Sequence, residues 1–141
     1  MSISFYFSGF DVLDNFSAHI LTIRGVRYPT VEHAYQATKC SNPQGAEEIR
    51  NAISPIEAKR LANVVWAAYK YEDWDSIKLD VMEDLLRLKL DQHADVREAL
   101  ILSADELIEE DSPTDYFWGK GSTGEGENNI GKLWMKIRES L

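Results

Sequence analysis

Tyr28-Pro-Thr-Val-Glu-His-Ala-Tyr-Gln-Ala-Thr-Lys39 is the stretch that decides how this chain is read: proline stops a strand and threonine starts a helix. Thr30 is placed to cap that helix, its hydroxyl oxygen close to the free backbone N–H groups of the first turn. Val31, Ala34, Tyr35 and Thr38 recur at helical spacing and form the face expected to pack inward. Glu32, Gln36 and Lys39 share a second face, so an acid, an amide and a cation stand in one line. Glu32 falls in the first turn, where the positive end of the helix dipole favours its ionised form. Taken alone, the stripe is either the solvated side of an ordinary amphipathic helix or a pre-formed polar site.

Upstream, Ile3 to Phe7 is rich in β-branched and aromatic residues and reads as a strand, followed by a loop from Ser8-Gly9 to Asn15-Phe16. Ile20 to Ile23 and Val26 to Tyr28 are two further short strands. Arg24-Gly25 joins them as a hairpin turn that needs a positive φ. Downstream, Asn42-Pro43 opens a second helix, with asparagine as cap and proline in the first turn. Ser54-Pro55-Ile56-Glu57 has the form of a capping box, and Ala58, Leu61, Ala62 and Val65 give the helix behind it an inward face.

The longest helical pattern runs from Trp74 to Gln92, with Ile77, Val81, Leu85 and Leu88 in the stripe and Met82, Leu86 and Lys89 beside it. Ala94 to Ser103 continues as a shorter helix, and Glu106 to Glu109 is a brief strand or an extended turn. Residues 111–129 are polar and glycine-rich. A last helix carries Ile130, Leu133, Trp134, Ile137 and Leu141 on one side. The pattern predicts an α+β fold: a helix-dominated single domain, 1–141, with a small antiparallel β-sheet.

The chain's 141 residues suffice for one domain with a real core, and 44% hydrophobic with 28% charged residues is the balance of a soluble globular protein. A single cysteine, Cys40, excludes an internal disulfide and a cysteine metal cluster. The opening MSISFYFSGFD lacks a basic region followed by a long apolar run, and no segment approaches the roughly 20 apolar residues of a membrane span. A cytoplasmic protein with no membrane partner is therefore expected. A net charge of −9 argues against broad contact with nucleic-acid phosphates, yet leaves room for a local pocket built from cations such as Arg24, Arg27 and Lys39.

No phosphate-cradling Gly-Lys-Ser or Gly-Lys-Thr loop, G-x-S-x-G or H-E-x-x-H occurs, and His19, His33 and His93 lack metal-ligand spacing. No metal or other cofactor is expected. The polar residues that remain are the helix stripe and the long loop, where Asp115 precedes Phe117-Trp118-Gly119. Gly121, Gly124 and Gly126 in that loop would let backbone approach a ligand. The loop is either functional or a surface connection pinned by Trp118. Trp74 is either a hydrophobic staple or a platform for a flat base.

The ordered set of motifs resembles the NADAR family of YbiA-like proteins over nearly the whole chain. The matching residues are Phe5 to Phe7 with Asn15-Phe16, then Pro29-Thr-x-Glu32-His33-x-Tyr35-Gln36-Ala37-x-Lys39. Trp74, Met82 and Leu107 to Glu109 follow, then Asp115-x-x-Trp118-Gly119, Gly124, Asn128-Asn129-x-Gly131-Lys132-Leu133-x-Met135 and Arg138. Several relatives have an aromatic after the helix lysine, where this chain has Cys40.

The resemblance implies an N-glycosidase. YbiA-like members cleave early riboflavin-pathway intermediates to a pyrimidine base and ribose 5-phosphate. Other members remove ADP-ribose from guanine in DNA, and a non-catalytic module that binds ADP-ribose or a related nucleotide is a third alternative. The partner implied is a small nucleotide-like molecule, with ADP-ribosylated nucleic acid as the alternative. Glu32 and Asp115 are implied as the catalytic carboxylates. Trp74, Lys39, Gln36, Tyr35, Arg24, Trp118, Gly119 and Asn129 are the expected substrate-binding residues. The chemistry agrees: cleavage builds positive charge on the sugar, which one carboxylate can stabilise while another positions or deprotonates water. In that scheme Trp74 stacks on the base, Lys39 with Arg24 holds the phosphate, and Gln36 and Asn129 bond ribose hydroxyls.

Overall fold

Pro29 ends a strand and Thr30 begins a helix in the computed structural model, which describes residues 2–4 and 10–141. The expected strand at Ile3 to Phe7 appears as β1, Ser2–Ser4; residues 5–7 and the Ser8-Gly9 loop lie outside the described residues. The described chain gathers into two units, residues 18–92 and residues 1–17 with 93–141.

In the unit of residues 18–92, β2 (Leu21–Ile23) and β3 (Val26–Tyr28) pair antiparallel, with Leu21 opposite Tyr28 and Ile23 opposite Val26. Arg24 at φ 51° and Gly25 at φ 80° make the turn, both left-handed as a two-residue hairpin requires. Helix α1 (Val31–Lys39) follows directly. Helix α2 (Pro43–Arg50) is capped by the Asn42 side chain, which accepts from the amides of Gln44 and Gly45. Ser54 caps α3 (Pro55–Arg60) by accepting from Glu57 N–H at 3.1 Å. Glu57 turns its carboxylate to Arg60, so the expected box is realised on its serine side.

Ala37, Cys40, Ile49, Ala58 and Ala62 form the core joining α1, α2 and α3. The inward face expected for the third helix holds at Ala58 and Ala62 but fails at Val65, which is exposed. The cause is local: the helix widens into a π turn over Leu61–Val65, closed by Trp66 N–H donating to Leu61 C=O, and the extra residue rotates Val65 outward. Thr38 is likewise exposed, its hydroxyl donating to Ala34 C=O at 2.7 Å, while Ala37 takes the inward place.

Helix α4 spans Trp74–Gln92, the range its sequence pattern predicts. Its buried residues are Trp74, Met82, Leu85, Leu86, Lys89 and Leu90, so the inward stripe is rotated toward Met82 and Leu86 and away from Ile77 and Val81. At its far end the Gln92 amide clamps β2, accepting from Thr22 N–H and donating to Thr22 C=O, each at 2.8 Å.

The other unit contains β1, a 3-10 turn at Asp11–Leu13, α5 (Ala94–Leu102), β4 (Leu107–Glu109) and α6 (Asn129–Glu139). The alternatives for 106–109 resolve as a strand, and β4 pairs with β1 in parallel, Ile3 opposite Ile108. The fold is thus a helix-dominated α+β with the expected antiparallel hairpin, plus one parallel pair. Ile130, Leu133, Trp134 and Ile137 are buried on α6, and Trp134 Nε1–H donates to Leu13 C=O at 3.0 Å. Leu141 leaves that stripe because α6 ends at Glu139. Among the described residues no helix is long and apolar enough to cross a membrane.

Candidate active site

Helix α1 is buried on both of its faces. Its polar stripe is inside: Glu32 is 7%, Gln36 3% and Lys39 9% exposed. That excludes the solvated amphipathic helix, because burying an acid, an amide and an ammonium together is costly unless they satisfy one another or a ligand.

The entry of α1 is held by a closed local network. Thr30 Oγ1 accepts from His33 N–H at 3.1 Å, and the same oxygen lies 2.9 Å from His33 Nδ1. The other ring nitrogen, Nε2, lies 3.0 Å from the Ala52 carbonyl oxygen. A carbonyl only accepts, so Nε2 carries the proton and donates, leaving Nδ1 to accept from the Thr30 hydroxyl. Burial holds His33 below its ordinary pKa against the opposing pull of the Ala52 bond. His33 is the tether of the helix start, with both ring nitrogens engaged in structure.

One turn on, Gln36 Nε2 donates to Glu32 Oε1 at 2.8 Å. Gln36 Oε1 is buried and has no hydrogen-bond partner among the described residues. A buried amide oxygen left so is an acceptor waiting for a donor, such as a sugar hydroxyl or an amino group. Lys39 Nζ donates to Asn63 Oδ1 at 2.5 Å, and Asn63 sits in the π turn that follows α3. Burial draws the Lys39 ammonium down to a pKa of about 8; Glu32 opposes this, while Lys70, Lys59 and Lys78 add to it. Lys39 therefore keeps its proton at neutral pH but gives it up more readily than a surface lysine.

Tyr35 is buried behind the stripe, and its ring meets that of Trp74 with centroids 5.1 Å apart and planes tilted by 58°. Trp74 is 2% exposed, so its place is a wall against which Tyr35 is fixed, at the start of α4. Arg24 stands exposed at the tip of the β2–β3 hairpin, and the cations acting on Lys39 come from other elements. Glu32, Tyr35, Gln36, Lys39 and Trp74 are thus gathered in one unit. Lys59, which with Arg60 forms a basic pair in the sequence, joins them, and so do Asn63, Lys70 and Lys78 without a local sequence signal.

Asp115, Trp118, Gly119 and Asn129 belong to the other unit. Asp115 Oδ1 accepts from Phe117 N–H at 3.0 Å and Trp118 N–H at 2.7 Å, so two backbone amides fix the carboxylate. The Trp118 ring stands edge-on to Phe117, centroids 4.7 Å apart. Asn129 Nδ2 donates to Phe117 C=O at 2.9 Å, tying the loop to the first turn of α6. The loop is closely hydrogen-bonded: Asn128 Oδ1 accepts from Glu110 N–H and its Nδ2 donates to Ile108 C=O, bridging past β4. Its glycines serve that packing, since a Cβ on Gly126 would lie 2.4 Å from Gly119 oxygen and one on Gly121 2.3 Å from the Tyr116 ring.

One carboxylate beside an amide and an ammonium lacks the several anionic or imidazole donors a divalent cation takes. It suits a cationic transition state on an organic ligand. An α+β scaffold with an acid–amide–ammonium line buried on a helix defines a candidate hydrolase site.

The chain belongs to the NADAR family, whose domain profile matches residues 3–141. N-glycosidase Npun_R5314 of Nostoc punctiforme is 38% identical over 146 residues, covering 100% of this chain and 93% of that protein. N-glycosidase YbiA of Escherichia coli is 37% identical over 141 residues, covering 99% and 88%. The NMR structure of E. coli YbiA superimposes with a TM-score of 0.89 at 35% identity, covering 100% of this chain and 86% of that one. A maize protein named riboflavin biosynthesis protein PYRR, chloroplastic, is 36% identical over 155 residues; the match takes 99% of this chain and 25% of that protein.

Proposed function

We propose that this chain is a hydrolase of N-glycosyl bonds that splits phosphorylated aminopyrimidine ribosides, early riboflavin-pathway intermediates, into base and ribose 5-phosphate. Relatives that match across nearly their whole length are named N-glycosidases, and a further relative is named for riboflavin biosynthesis. The observation that carries the reading is the buried Glu32–Gln36 pair with its vacant amide acceptor.

Bond cleavage leaves the sugar carbon short of electrons, and the charge spreads to the ring oxygen. A fixed carboxylate close by lowers that barrier, since it need not be reoriented as the charge develops and is little screened away from water. Glu32 takes this role, held by Gln36. The Gln36 oxygen accepts from a ribose hydroxyl, which places the sugar beside Glu32. Lys39 supplies positive charge for the phosphate end of the substrate. Asp115, on the strength of its family motif, is the carboxylate that positions or deprotonates water. Tyr35, backed by the buried Trp74, lies on the side proposed for the base; Trp118, Gly119 and Asn129 keep the binding roles their motif implies, and Arg24 is kept beside Lys39 as a second cation for the phosphate.

The test is release of ribose 5-phosphate from the riboside phosphate by purified protein, with an ADP-ribosylated guanosine oligonucleotide offered in parallel. Wild type releases the sugar phosphate, and Glu32→Gln lowers kcat by at least about 100-fold, the scale of losing a main electrostatic group. Turnover of the oligonucleotide alone would overturn the small-molecule reading, and silence on both would overturn the hydrolase.

A further inference from the structure

Ala37 of α1 packs in one core with Ala58 of α3 and Ala62 of the π turn, three small side chains that let the two segments approach closely. Asn63, next after Ala62, is thereby brought alongside Lys39, within reach of its own short side chain. Lys39 Nζ donates to Asn63 Oδ1 at 2.5 Å. An ammonium has no acceptor, so the amide has to turn its oxygen toward Lys39. Asparagine is not favoured inside a helix, and π turns recur at functional sites. Asn63 is exposed, so a ligand can come up to the bonded pair.

We propose that Asn63 is a positioning residue: its amide oxygen aims the Lys39 ammonium at the phosphate of the substrate while leaving the positive charge whole. The assignment rests on the reading that Lys39 meets that phosphate.

The chemistry of the partner supports it. A carboxylate in the same place would orient the ammonium but cancel its charge, and would compete with the anion of the ligand. A neutral amide orients and cancels nothing. The other charge of the stripe is held in the same way, where Gln36 Nε2 donates to Glu32 Oε1. One amide offers its oxygen to the cation and the other its nitrogen to the anion, so each charged group keeps its sign. Glu32 is the acid whose charge acts on Lys39, against Lys70, Lys59 and Lys78. Among the described residues the one hydrogen bond of Lys39 Nζ goes to Asn63, so the direction of the ammonium is set there. Two of its three donors remain for ligand oxygens. Lysine has a flexible four-carbon stem, and an ammonium aimed beforehand need not be ordered when the ligand arrives.

Titration of the full chain with ribose 5-phosphate and with ribose, by calorimetry at pH 7, reads the aimed cation without turnover. Wild type is expected to prefer the phosphorylated sugar by about tenfold or more, the scale of a charge-assisted contact. Asn63→Ala frees the ammonium but keeps its charge, and should lower that preference by about threefold or more. Asn63→Asp keeps the bond but cancels the charge, and should lower it further than Asn63→Ala does. A merely structural tie between α1 and the π turn predicts the opposite order, because an ion pair joins the two segments at least as well as the amide. A weaker preference in wild type, a smaller loss in Asn63→Ala, or a loss in Asn63→Asp no greater than in Asn63→Ala overturns the assignment. In the riboside assay both variants should raise KM more than they lower kcat, and a fall in kcat at constant KM would also overturn it. If the order of binding holds but wild type releases no sugar, the N-glycosidase reading fails and the role of Asn63 stands. Sugar release that both variants match leaves that reading intact and removes the role.

Discussion

Gln36 Nε2 donates to Glu32 Oε1 at 2.8 Å across one turn of a helix that buries both residues. The bond fixes the carboxylate without neutralising it, and the other end of the same amide has no partner among the described residues. Both properties matter for a group that must meet a short-lived cation. Positioning would be lost in Gln36→Leu, while the acid would remain.

Gln36→Leu is therefore expected to lower kcat/KM by roughly 10- to 100-fold, the worth of a hydrogen bond to a charged group. The variant is also expected to melt lower than wild type, because the buried Glu32 carboxylate loses its donor while only one unsatisfied oxygen is removed in return. Steady-state kinetics beside a thermal melt separates the outcomes. A large fall in melting temperature with unchanged kinetics would make Gln36 a structural residue.

Lys39 has a pKa of about 8 in the folded chain against an ordinary 10.5. Between those values the unfolded chain binds the proton and the folded chain does not, so unfolding free energy rises with pH across that window. Activity moves the other way. If the ammonium holds phosphate, KM for the phosphorylated substrate climbs as pH passes about 8. Lys39→Met should flatten both dependences, and at pH 7 it should be no less stable than wild type, because a costly buried charge is gone. Urea melts at pH 7 and pH 10, with KM at pH 6.5 to 9, check both.

His33 is held below its ordinary 6.5 because burial disfavours its cation. The group contributes stability that is present above pH 6.5 and is lost as pH falls toward the lower folded value. Protonation turns Nδ1 into a donor facing Thr30 Oγ1, the oxygen that caps α1. His33→Gln should thus be less stable at pH 8 yet show a shallower loss between pH 7 and pH 5. Denaturant midpoints over that range decide the matter; parallel slopes for the two proteins would sink the assignment.

The features legible in the sequence were local ones. Thr30, Asn42 and Ser54 announced helix starts through their own side chains, and Arg24-Gly25 announced its turn through the φ values it must adopt. The line of Glu32, Gln36 and Lys39 was visible as a shared face, but its burial was not. Periodicity tells which residues point together, not what covers them. Val65 was misplaced because a π turn changes the residue count per turn, and nothing in Leu61-Ala-Asn-Val-Val65 marks one. Asn63, Lys70 and Lys78 reach Lys39 only through tertiary packing. The Asp115 loop looked open because its glycines suit ligand approach, whereas Gly121 and Gly126 make room for Tyr116, Gly119 and Lys120.

Gly45 faces the departure at Cys40 directly. A Cβ there would lie 2.5 Å from the Trp66 ring and 2.8 Å from Cys40 Sγ, and Trp66 is held by its own bond to Glu48 at 2.7 Å. Gly45→Ala should cost about 1–3 kcal/mol by overpacking. Cys40→Phe should cost as much or more, since Cys40 is buried in the core joining α1, α2 and α3. Chemical denaturation of each variant measures it, and a neutral Gly45→Ala would mean Trp66 is free to swing away.

Gly131 offers the sharper test, because its neighbour cannot swing. It lies in α6 against β4, where an added Cβ would stand 2.1 Å from the Ile108 carbonyl oxygen and 2.5 Å from Asn128 Nδ2. Ile108 C=O belongs to the strand paired with β1 and accepts from that same Asn128 amide at 3.0 Å. Relief would require α6 to move off the strand, which also pulls Trp134 from its bond to Leu13. Gly131→Ala is expected to exceed the usual overpacking cost of about 1–3 kcal/mol. Its marker is Trp134: the indole N–H should lose hydrogen-exchange protection in the variant. An indole still protected, with stability unchanged, would show that α6 and β4 can part without cost.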